Sequence, residues 1–362
     1  MVKSILFNKI IINCITVTNK NRLFCVYFNM VTRIITLFGG IAILIFGFNL
    51  ISANTERLAE GRAKNIIRKN LKTPIGGLLT GTVVAGVTQS SVAVSVIAVS
   101  LVEAGTISFR SSAAVIMGAN VGTTVTAQLL SLSGASGGII GSIASIIGLL
   151  LSFSKNKTVK RLSNSVMGLG VLFAGLSIMT TSVKGLISAV WFRKIFLVES
   201  PFLLFLNGMV LTGITQSSSA VTGVTVILGA SKIMPFTSAT FFTLGANVGS
   251  CFFVVLSSLN KNVNARRSAL FNLIFNLSGA ILFFPFLLML GEEITYLFVK
   301  ERGVGGAIAD FHTVFNLVCA LVFFPFLGLF EKLIIKITSN NGKNCNRNCK
   351  RKSFTANIPR FN

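Results

Sequence analysis

Apolar residues in this chain form long continuous runs, separated by short polar and basic stretches. A helix needs about 20 apolar residues to cross a bilayer, and several of the runs reach or approach that length. We expect membrane-spanning helices at 34–52, 109–132, 138–153, 163–183, 236–259, 268–290 and 307–330. Because the runs are continuous rather than alternating, they predict helices and not the strands of a membrane barrel. The pattern indicates an all-α polytopic membrane protein.

Two further apolar runs, 74–104 and 201–231, are each interrupted in the middle by a polar cluster. The runs open with Pro74 and Pro201, and proline is well tolerated in the first turn of a helix. Each half of a run has about 15 residues, which at about 1.5 Å per residue is too short to cross a bilayer alone. We therefore predict two re-entrant helical hairpins, each returning to the side of the membrane from which it entered.

The interrupting clusters are copies of one motif, set 127 residues apart: Gln89, Ser90 and Ser91, then Gln216, Ser217, Ser218 and Ser219. A Gly-Ala-Asn-Val-Gly run follows each cluster at the same distance, at 118–122 and at 245–249. Residues 81–132 consequently align with 208–259 without a gap. Duplicated polar signatures inside duplicated hydrophobic segments are typical of secondary transporters built from two repeats.

These paired motifs resemble those of the sodium/phosphate cotransporter family, the type II kind with many bacterial members. The resemblance covers about residues 31–330, and the pairing makes it specific. It implies two inverted-topology repeats, each with a re-entrant hairpin, plus C-terminal spans. It also implies that the clusters bind phosphate and sodium. The chain departs from the family at Val92, where a third serine is usual, so the first copy lacks one hydroxyl ligand.

Charge along the chain predicts its orientation. Lys and Arg crowd the segments 53–72 and 154–162 and the tail, and cytoplasmic loops of membrane proteins collect these residues. We expect a plasma (inner) membrane protein with its N-terminus outside, its C-terminus inside, and repeats of opposite sense. The divisions expected are an N-terminal extension at 1–29, a first transport repeat at 30–162, a second at 163–267, C-terminal spans at 268–335 and a basic tail at 336–362. Because Met30 directly precedes the family-like start, we expect translation to begin there or the extension to be dispensable.

A smaller repeat occurs near the end of the chain. The Phe-Asn-Leu sequence at 275–277 recurs at 315–317, and this offset of forty residues also aligns Asn272 with His312. The two spans that contain these copies could brace the two transport repeats. Many bacterial members of the family continue into a domain that resembles a phosphate regulator. We expect no such domain in this protein, so a separate regulator protein is a candidate partner.

Phosphate needs hydrogen-bond donors that replace its water, and positive potential that offsets desolvation. A helix that restarts after each serine pair supplies both, through free backbone N–H groups and its positive dipole end. The serine hydroxyls and glutamine amides of both clusters add donors, so we predict that they bind inorganic phosphate. Sodium prefers oxygen ligands. Candidates beside the serines are Asn120, Thr123, Thr124, Asn247 and Ser250.

Composition excludes several other classes of protein. The chain is 52% hydrophobic and 12% charged, more apolar than a soluble domain of 362 residues. Its net charge of +24 lies in loops and tail without a nucleic-acid motif, so no nucleic-acid partner is expected. With a single histidine, His312, a histidine-cluster transition-metal site is excluded, and no catalytic or ATP-binding motif indicates an enzyme. We expect His312 to have a structural, hydrogen-bonded role.

The motif leaves alternatives to a sodium-coupled phosphate importer. A carrier for another oxyanion, or one coupled to protons, would need the same kind of site. A membrane scaffold or phosphate-sensing partner that does not transport is a third hypothesis. The oligomeric state is left open.

Overall fold

A computed structural model of the protein describes residues 19–70, 73–131, 137–186, 198 and 200–338, which form helices joined by short turns, with no strand among them. In chain order the helices are α1 (Asn19–Asn70), α2 (Pro74–Thr88), α3 (Ser91–Glu103), α4 (Phe109–Ser131), α5 (Gly137–Ser152), α6 (Lys157–Leu186), α7 (Pro201–Thr215), α8 (Ser218–Ala230), α9 (Phe236–Gly249), α10 (Cys251–Ser258) and α11 (Val263–Phe323). The all-α prediction is confirmed. The first 18 residues of the predicted extension and most of the predicted tail lie outside the described part.

Five described helical stretches are long and apolar enough to cross a membrane: Met30–Ile51, Phe109–Ser131, Lys157–Ser182, Phe236–Ser258 and Val263–Thr338. Many of their large apolar side chains face outward, including Met289, which is 80% exposed. In water such exposure would be costly, whereas lipid accepts it. The protein is therefore a multi-pass membrane protein, as predicted.

The last stretch contains the two separate spans predicted at 268–290 and 307–330. Within α11 the backbone is non-helical at Leu290, where the first predicted span ends, and at Gly303, shortly before the second begins. Gly303 has a φ of 65°, a left-handed conformation that glycine adopts without steric cost. A short 3₁₀ turn at Phe324–Phe326, which contains Pro325, precedes the final helical turns to Thr338.

The segment predicted as a basic loop at 53–72 is helical as far as Asn70, because α1 continues beyond the apolar run. Its residues are mostly Ala, Arg, Leu, Glu and Lys, which are among the strongest helix formers. The segment 291–306, between the last two predicted spans, is likewise helical over most of its length. Charge marks where a helix leaves the apolar layer, and this need not be where the helix ends.

Two glycines and an asparagine within one span predict a break in the helix at the Gly-Ala-Asn-Val-Gly run, because these residues have weak helix propensity, but α4 is continuous through it. The glycines instead allow a close helix crossing: a Cβ at Gly118 would overlap the carbonyl oxygen of Leu78 on α2. In the second copy a Cβ at Gly245 would overlap that of Phe205 on α7. Small residues let membrane helices bring their backbones together, which outweighs their weak helix propensity. The interruption in the second copy comes later, at Ser250 between α9 and α10.

The first helices of the two predicted repeats, α1 and α6, pack along each other. A Cβ at Gly40 would meet Met179 and Gly175, and a Cβ at Gly47 would meet Leu172 and Gly168. Contacts therefore move backward along α6 as they move forward along α1, so the two helices are antiparallel. Meanwhile α11 packs against both α4 and α9, the helices that carry the glycine runs.

Candidate functional site

Each polar cluster joins two short helices through a glutamine in the left-handed conformation. Gln89 follows α2 with φ 55° and ψ 28°, and Gln216 follows α7 with φ 56° and ψ 19°. The only other described non-glycine residue with a positive φ is Lys232. Left-handed backbone costs a residue with a Cβ on the order of 1 kcal/mol and is maintained where the surrounding structure imposes it. Glutamine instead of glycine at this position indicates that its side chain has a use.

The first serine of each cluster caps the helix that follows. The hydroxyl oxygen of Ser90 accepts from the backbone N–H of Ala93 at 3.1 Å. In the second copy Ser217 accepts from Ala220 at 3.2 Å. Such caps stabilise a helix by about 1 kcal/mol. Because the oxygen is the acceptor in the cap, each hydroxyl proton is left to donate to something else.

The tips of the two helices carry backbone donors. The hydroxyl oxygen of Ser90 accepts from the N–H of Ala93, and its carbonyl oxygen accepts from the N–H of Val94. The first N–H groups of a helix have no partner within that helix, which leaves those of Ser91 and Val92 at the tip of α3 available. The same holds at the tip of α8 for Ser218 and Ser219. A helix N-terminus also carries positive potential, so each tip attracts an anion.

Both tips open into one cavity of ≈ 410 Å³. Its lining comprises Asn49, Ala53, Gln89, Ser90, Ser91, Val92, Thr215, Gln216, Ser217, Ser218 and Ser219. All seven residues predicted to bind phosphate are therefore brought together, although they come from two segments 127 residues apart. Within the part of the chain that the structure describes, no charged side chain is part of the lining.

Sequence reasoning missed two residues of this lining on α1. Asn49 and Ala53 lie one turn apart and form a wall beside the serine clusters. The signal for Asn49 was available, because an amide near the end of the apolar run 34–52 is conspicuous. Ala53 gave no signal, since a small apolar residue is ordinary at a helix contact.

None of the five predicted sodium ligands lines the cavity. All are buried: Asn120, Thr123 and Thr124 on α4, Asn247 on α9, and Ser250 between α9 and α10. The hydroxyls of Thr123 and Ser250 donate to carbonyl oxygens within their own helical turns, at 2.8 and 2.7 Å. Their oxygens keep lone pairs, so their role as sodium ligands stays a prediction.

The two asparagines among these candidates connect the repeats to α11. Asn120 donates from Nδ2 to Asn272 Oδ1 at 3.5 Å, and Asn247 Oδ1 lies 3.3 Å from His312 Nε2. The offsets of 127 and forty residues relate these two pairs to each other. The buried hydrogen bond of His312 agrees with the structural role expected for it.

A second, larger cavity of ≈ 710 Å³ lies at the other end of α8. Ala230, Lys232 and Gly303 contribute to its lining, together with hydroxyls of α6. At its edge Arg302 forms an ion pair with Asp310 and donates to Gln128 Oε1 at 2.9 Å. Helix α8 therefore has one cavity at its N-terminus and another at its C-terminus.

Comparison with known proteins agrees with the paired motifs. The family model described as Na+/Pi-cotransporter matches residues 43–181 and 191–317. YqeW of Bacillus subtilis (strain 168), named "Uncharacterized protein YqeW", is 29% identical over 255 residues, 68% of this chain and 81% of that protein. The Escherichia coli (strain K12) protein named "Putative inorganic phosphate export protein YjbB" is 27% identical over 72% of this chain and 48% of its own length.

A human protein is also similar over a shorter stretch. It is named "Sodium-dependent phosphate transport protein 2B" and is 27% identical over 115 residues, 31% of this chain and 16% of that protein. This chain thus spans about half the length of YjbB and a small part of the human protein. No solved structure matches it.

The family model covers more than half of the chain and includes both glutamine–serine clusters, both glycine runs and the cavity that the clusters line. It describes transporters and not enzymes. The chain belongs to the Na+/Pi-cotransporter family.

Proposed function

We propose that the protein is a secondary transporter that moves inorganic phosphate together with sodium across the plasma membrane. The observation that carries the proposal is the cavity at which the two equivalent helix tips meet. Gln89, Ser90 and Ser91 bind the anion from one repeat. Gln216, Ser217, Ser218 and Ser219 bind it from the other.

The chemistry of the lining suits a hydrated oxyanion. The tips of α3 and α8 direct backbone N–H groups and positive dipole ends at the same space. Serine hydroxyl protons and glutamine amide protons add further donors for the phosphate oxygens. Each of these donors replaces a hydrogen bond that phosphate makes to water. This compensates for the free-energy cost of moving phosphate into a low-dielectric layer.

The neutral lining also explains why a cation should travel with the anion. No Lys or Arg is among the described residues of the lining, so the positive groups that these residues offer to phosphate are the two helix dipoles. A dipole end is equivalent to roughly half a charge, and phosphate carries one or two. Sodium bound nearby supplies the remainder, and Asn120, Thr123, Thr124, Asn247 and Ser250 are its proposed ligands. Sodium that completes the anion site in this way couples the two movements.

Alternating access follows from the proposed architecture of two inverted repeats, each with a re-entrant hairpin. The antiparallel packing of α1 on α6 supports the inversion. The basic end of α1 is proposed to be cytoplasmic, so the serine cavity beside Asn49 and Ala53 opens to that side. The cavity at the C-terminal end of α8 is then the outward one. Transport closes one and opens the other around the same anion site.

Import is the direction that an inward sodium gradient favours. Export is a second candidate, because one relative is named as a phosphate exporter. Proteoliposomes with a fixed protein orientation, loaded with labelled phosphate inside or outside, distinguish the two directions. Uptake that rises with an inward sodium gradient supports import, whereas efflux that is indifferent to sodium supports export without coupling.

The same vesicles test substrate and coupling. Labelled phosphate should accumulate under a sodium gradient and not under an equal choline gradient. Competition by arsenate but not by sulfate or dicarboxylates identifies phosphate as the substrate. Binding of phosphate without any accumulation, under either gradient, would contradict transport and favour a scaffold or sensor.

A further inference from the structure

The forty-residue repeat of α11 places two asparagines in equivalent surroundings. Asn276 and Asn316 are both 1% exposed. Asn276 donates from Nδ2 to the carbonyl oxygen of Asn272 at 2.9 Å. Asn316 does the same to His312 at 2.8 Å. Both residues thus use their amide nitrogen to bond back along the helix.

The donor bonds fix the orientation of each amide. Exchanging nitrogen and oxygen in Asn276 would place Oδ1 against the carbonyl oxygen of Asn272 and also against Asn272 Oδ1, which lies 3.1 Å from the nitrogen. In Asn316 the exchange would oppose two oxygens in the same way. The Oδ1 atoms therefore point elsewhere, and neither has a hydrogen-bond partner among the described residues.

His312 adds a third atom of the same kind. Asn247 Nδ2 donates to the carbonyl oxygen of Thr243 at 3.0 Å, so Asn247 presents its oxygen to the histidine. His312 Nε2 must then carry the proton, which leaves Nδ1 as a lone pair. Nδ1 too is buried without a described partner. All three atoms are acceptors, and burying an acceptor unpaired is unfavourable.

These three unpaired acceptor atoms would bind a cation or a hydrogen-bond donor. Sodium is bound by neutral amide and carbonyl oxygens in sites without formal charge. Each unpaired oxygen lies one helical turn from a residue that contacts a predicted sodium candidate, since Asn272 pairs with Asn120 and His312 pairs with Asn247. We propose that Asn276 and Asn316 each supply an amide oxygen to sodium bound between α11 and the repeat helices α4 and α9. This inference rests on the sodium coupling proposed above and adds ligands from outside the repeats.

The assignment gives α11 a part in coupling. A sodium ion that is bound by ligands on both α11 and a repeat helix fixes the position of that helix relative to α11. Release of the ion frees the repeat helix to move relative to α11. Neither asparagine belongs to a glutamine–serine cluster, and neither lines the phosphate cavity.

The test is sodium-dependent stabilisation of the purified full chain without phosphate. Thermal unfolding is followed as sodium chloride replaces choline chloride at constant ionic strength. Wild type should be stabilised by sodium, and Asn276→Ala and Asn316→Ala should raise the sodium concentration at half effect by about tenfold or more. Asn54→Ala is the matched control, because Asn54 also donates back along its helix, at 2.7 Å to Leu50, but its oxygen accepts from Asn164 at 3.4 Å.

Unchanged sodium midpoints in both alanine variants would overturn the proposal and indicate that buried water satisfies the oxygens. If an alanine variant does not fold, the glutamine variants Asn276→Gln and Asn316→Gln replace it. They keep the amide but displace its oxygen, so they too should raise the sodium concentration at half effect. A wild type indifferent to sodium in both stability and transport would defeat the proposed coupling itself. Sodium dependence that wild type and all variants share would defeat only the assignment to α11.

Discussion

Gln89 and Gln216 have the same left-handed backbone, with φ 55° and φ 56°, although 127 residues of chain separate them. Both lie between the end of one short helix and the serine cap of the next, and both line the same cavity. Two independent segments that share an unfavourable conformation indicate a common requirement. The requirement we propose is an amide side chain at the turn, facing phosphate.

Replacing Gln89 by glycine tests separately what its left-handed backbone and its amide side chain contribute. Gln89→Gly removes the left-handed strain and the amide together, so the fold should be as stable as wild type or more stable by about 0.5–1 kcal/mol. Phosphate binding should fall at least about tenfold, since a hydrogen bond to a charged group is lost. Thermal unfolding and equilibrium binding measure the two effects. Wild-type affinity in this variant would show that the side chain has no role in binding.

The serine caps allow capping and anion binding to be told apart. Asp and Asn cap helices as well as Ser does, so Ser217→Asp and Ser217→Asn should keep the stability of α8 within about 1 kcal/mol. The carboxylate introduces negative charge into an anion cavity, whereas the amide does not. Uptake of labelled phosphate should therefore be abolished in the Asp variant and partly retained in the Asn variant. Equal uptake in the two would argue that no anion approaches Ser217.

Val92 lies where the second copy has Ser219, and both residues line the cavity. Val92→Ser restores the hydroxyl and makes the two copies alike. An added neutral hydrogen bond contributes about 0.5–1.5 kcal/mol, so the apparent affinity for phosphate or sodium should rise roughly two- to tenfold. Ser219→Val, the reverse change, should lower it by a similar factor. Concentration dependence of uptake for both ligands decides this, and no change in either variant would contradict the proposed role of this position.

The glycine crossings should be intolerant of a methyl group. A Cβ at Gly118 or Gly245 overlaps backbone oxygen of the facing helix, so Gly118→Ala and Gly245→Ala must push two helices apart. Overpacking of this kind costs about 1–3 kcal/mol. Gly39→Ala is the control, since nothing lies within 4 Å of its Cβ position. Thermal unfolding in detergent should rank both variants below the control, and equal stability would refute the close-packing role.

Much of the fold follows from the pattern of residues. The apolar runs predicted the long membrane helices, but α5, expected as a span at 138–153, has 16 residues and is not among the stretches long enough to cross a membrane. The positions of Pro74 and Pro201 gave the first residues of α2 and α7. Both duplicated clusters were predicted to bind phosphate, and Ser90 and Ser217 line the same cavity. Helix ends beyond the apolar layer were missed, since charge alone does not distinguish a loop from an extended helix such as α1.

The glycine runs were misinterpreted because propensity favours a break where packing favours a continuous helix. Gly118 weakens α4 locally, yet the crossing with α2 requires it. The contribution of α1 to the cavity, through Asn49 and Ala53, depends on which face of that helix meets the hairpins. Periodicity within one long apolar run does not define that face. The pairing of Asn120 with Asn272 was also beyond the sequence, because it joins helices from different parts of the chain.

The central claim is that both glutamine–serine clusters form a single phosphate site. Equilibrium binding of labelled phosphate to the purified protein in sodium, with Gln89→Ala, Gln216→Ala and the double variant, tests it most directly. We predict one phosphate bound per chain, a loss of affinity of about tenfold or more in either single variant, and no residual saturable binding in the double variant. Two phosphates per chain, or one cluster whose alteration leaves the affinity unchanged, would contradict a shared site.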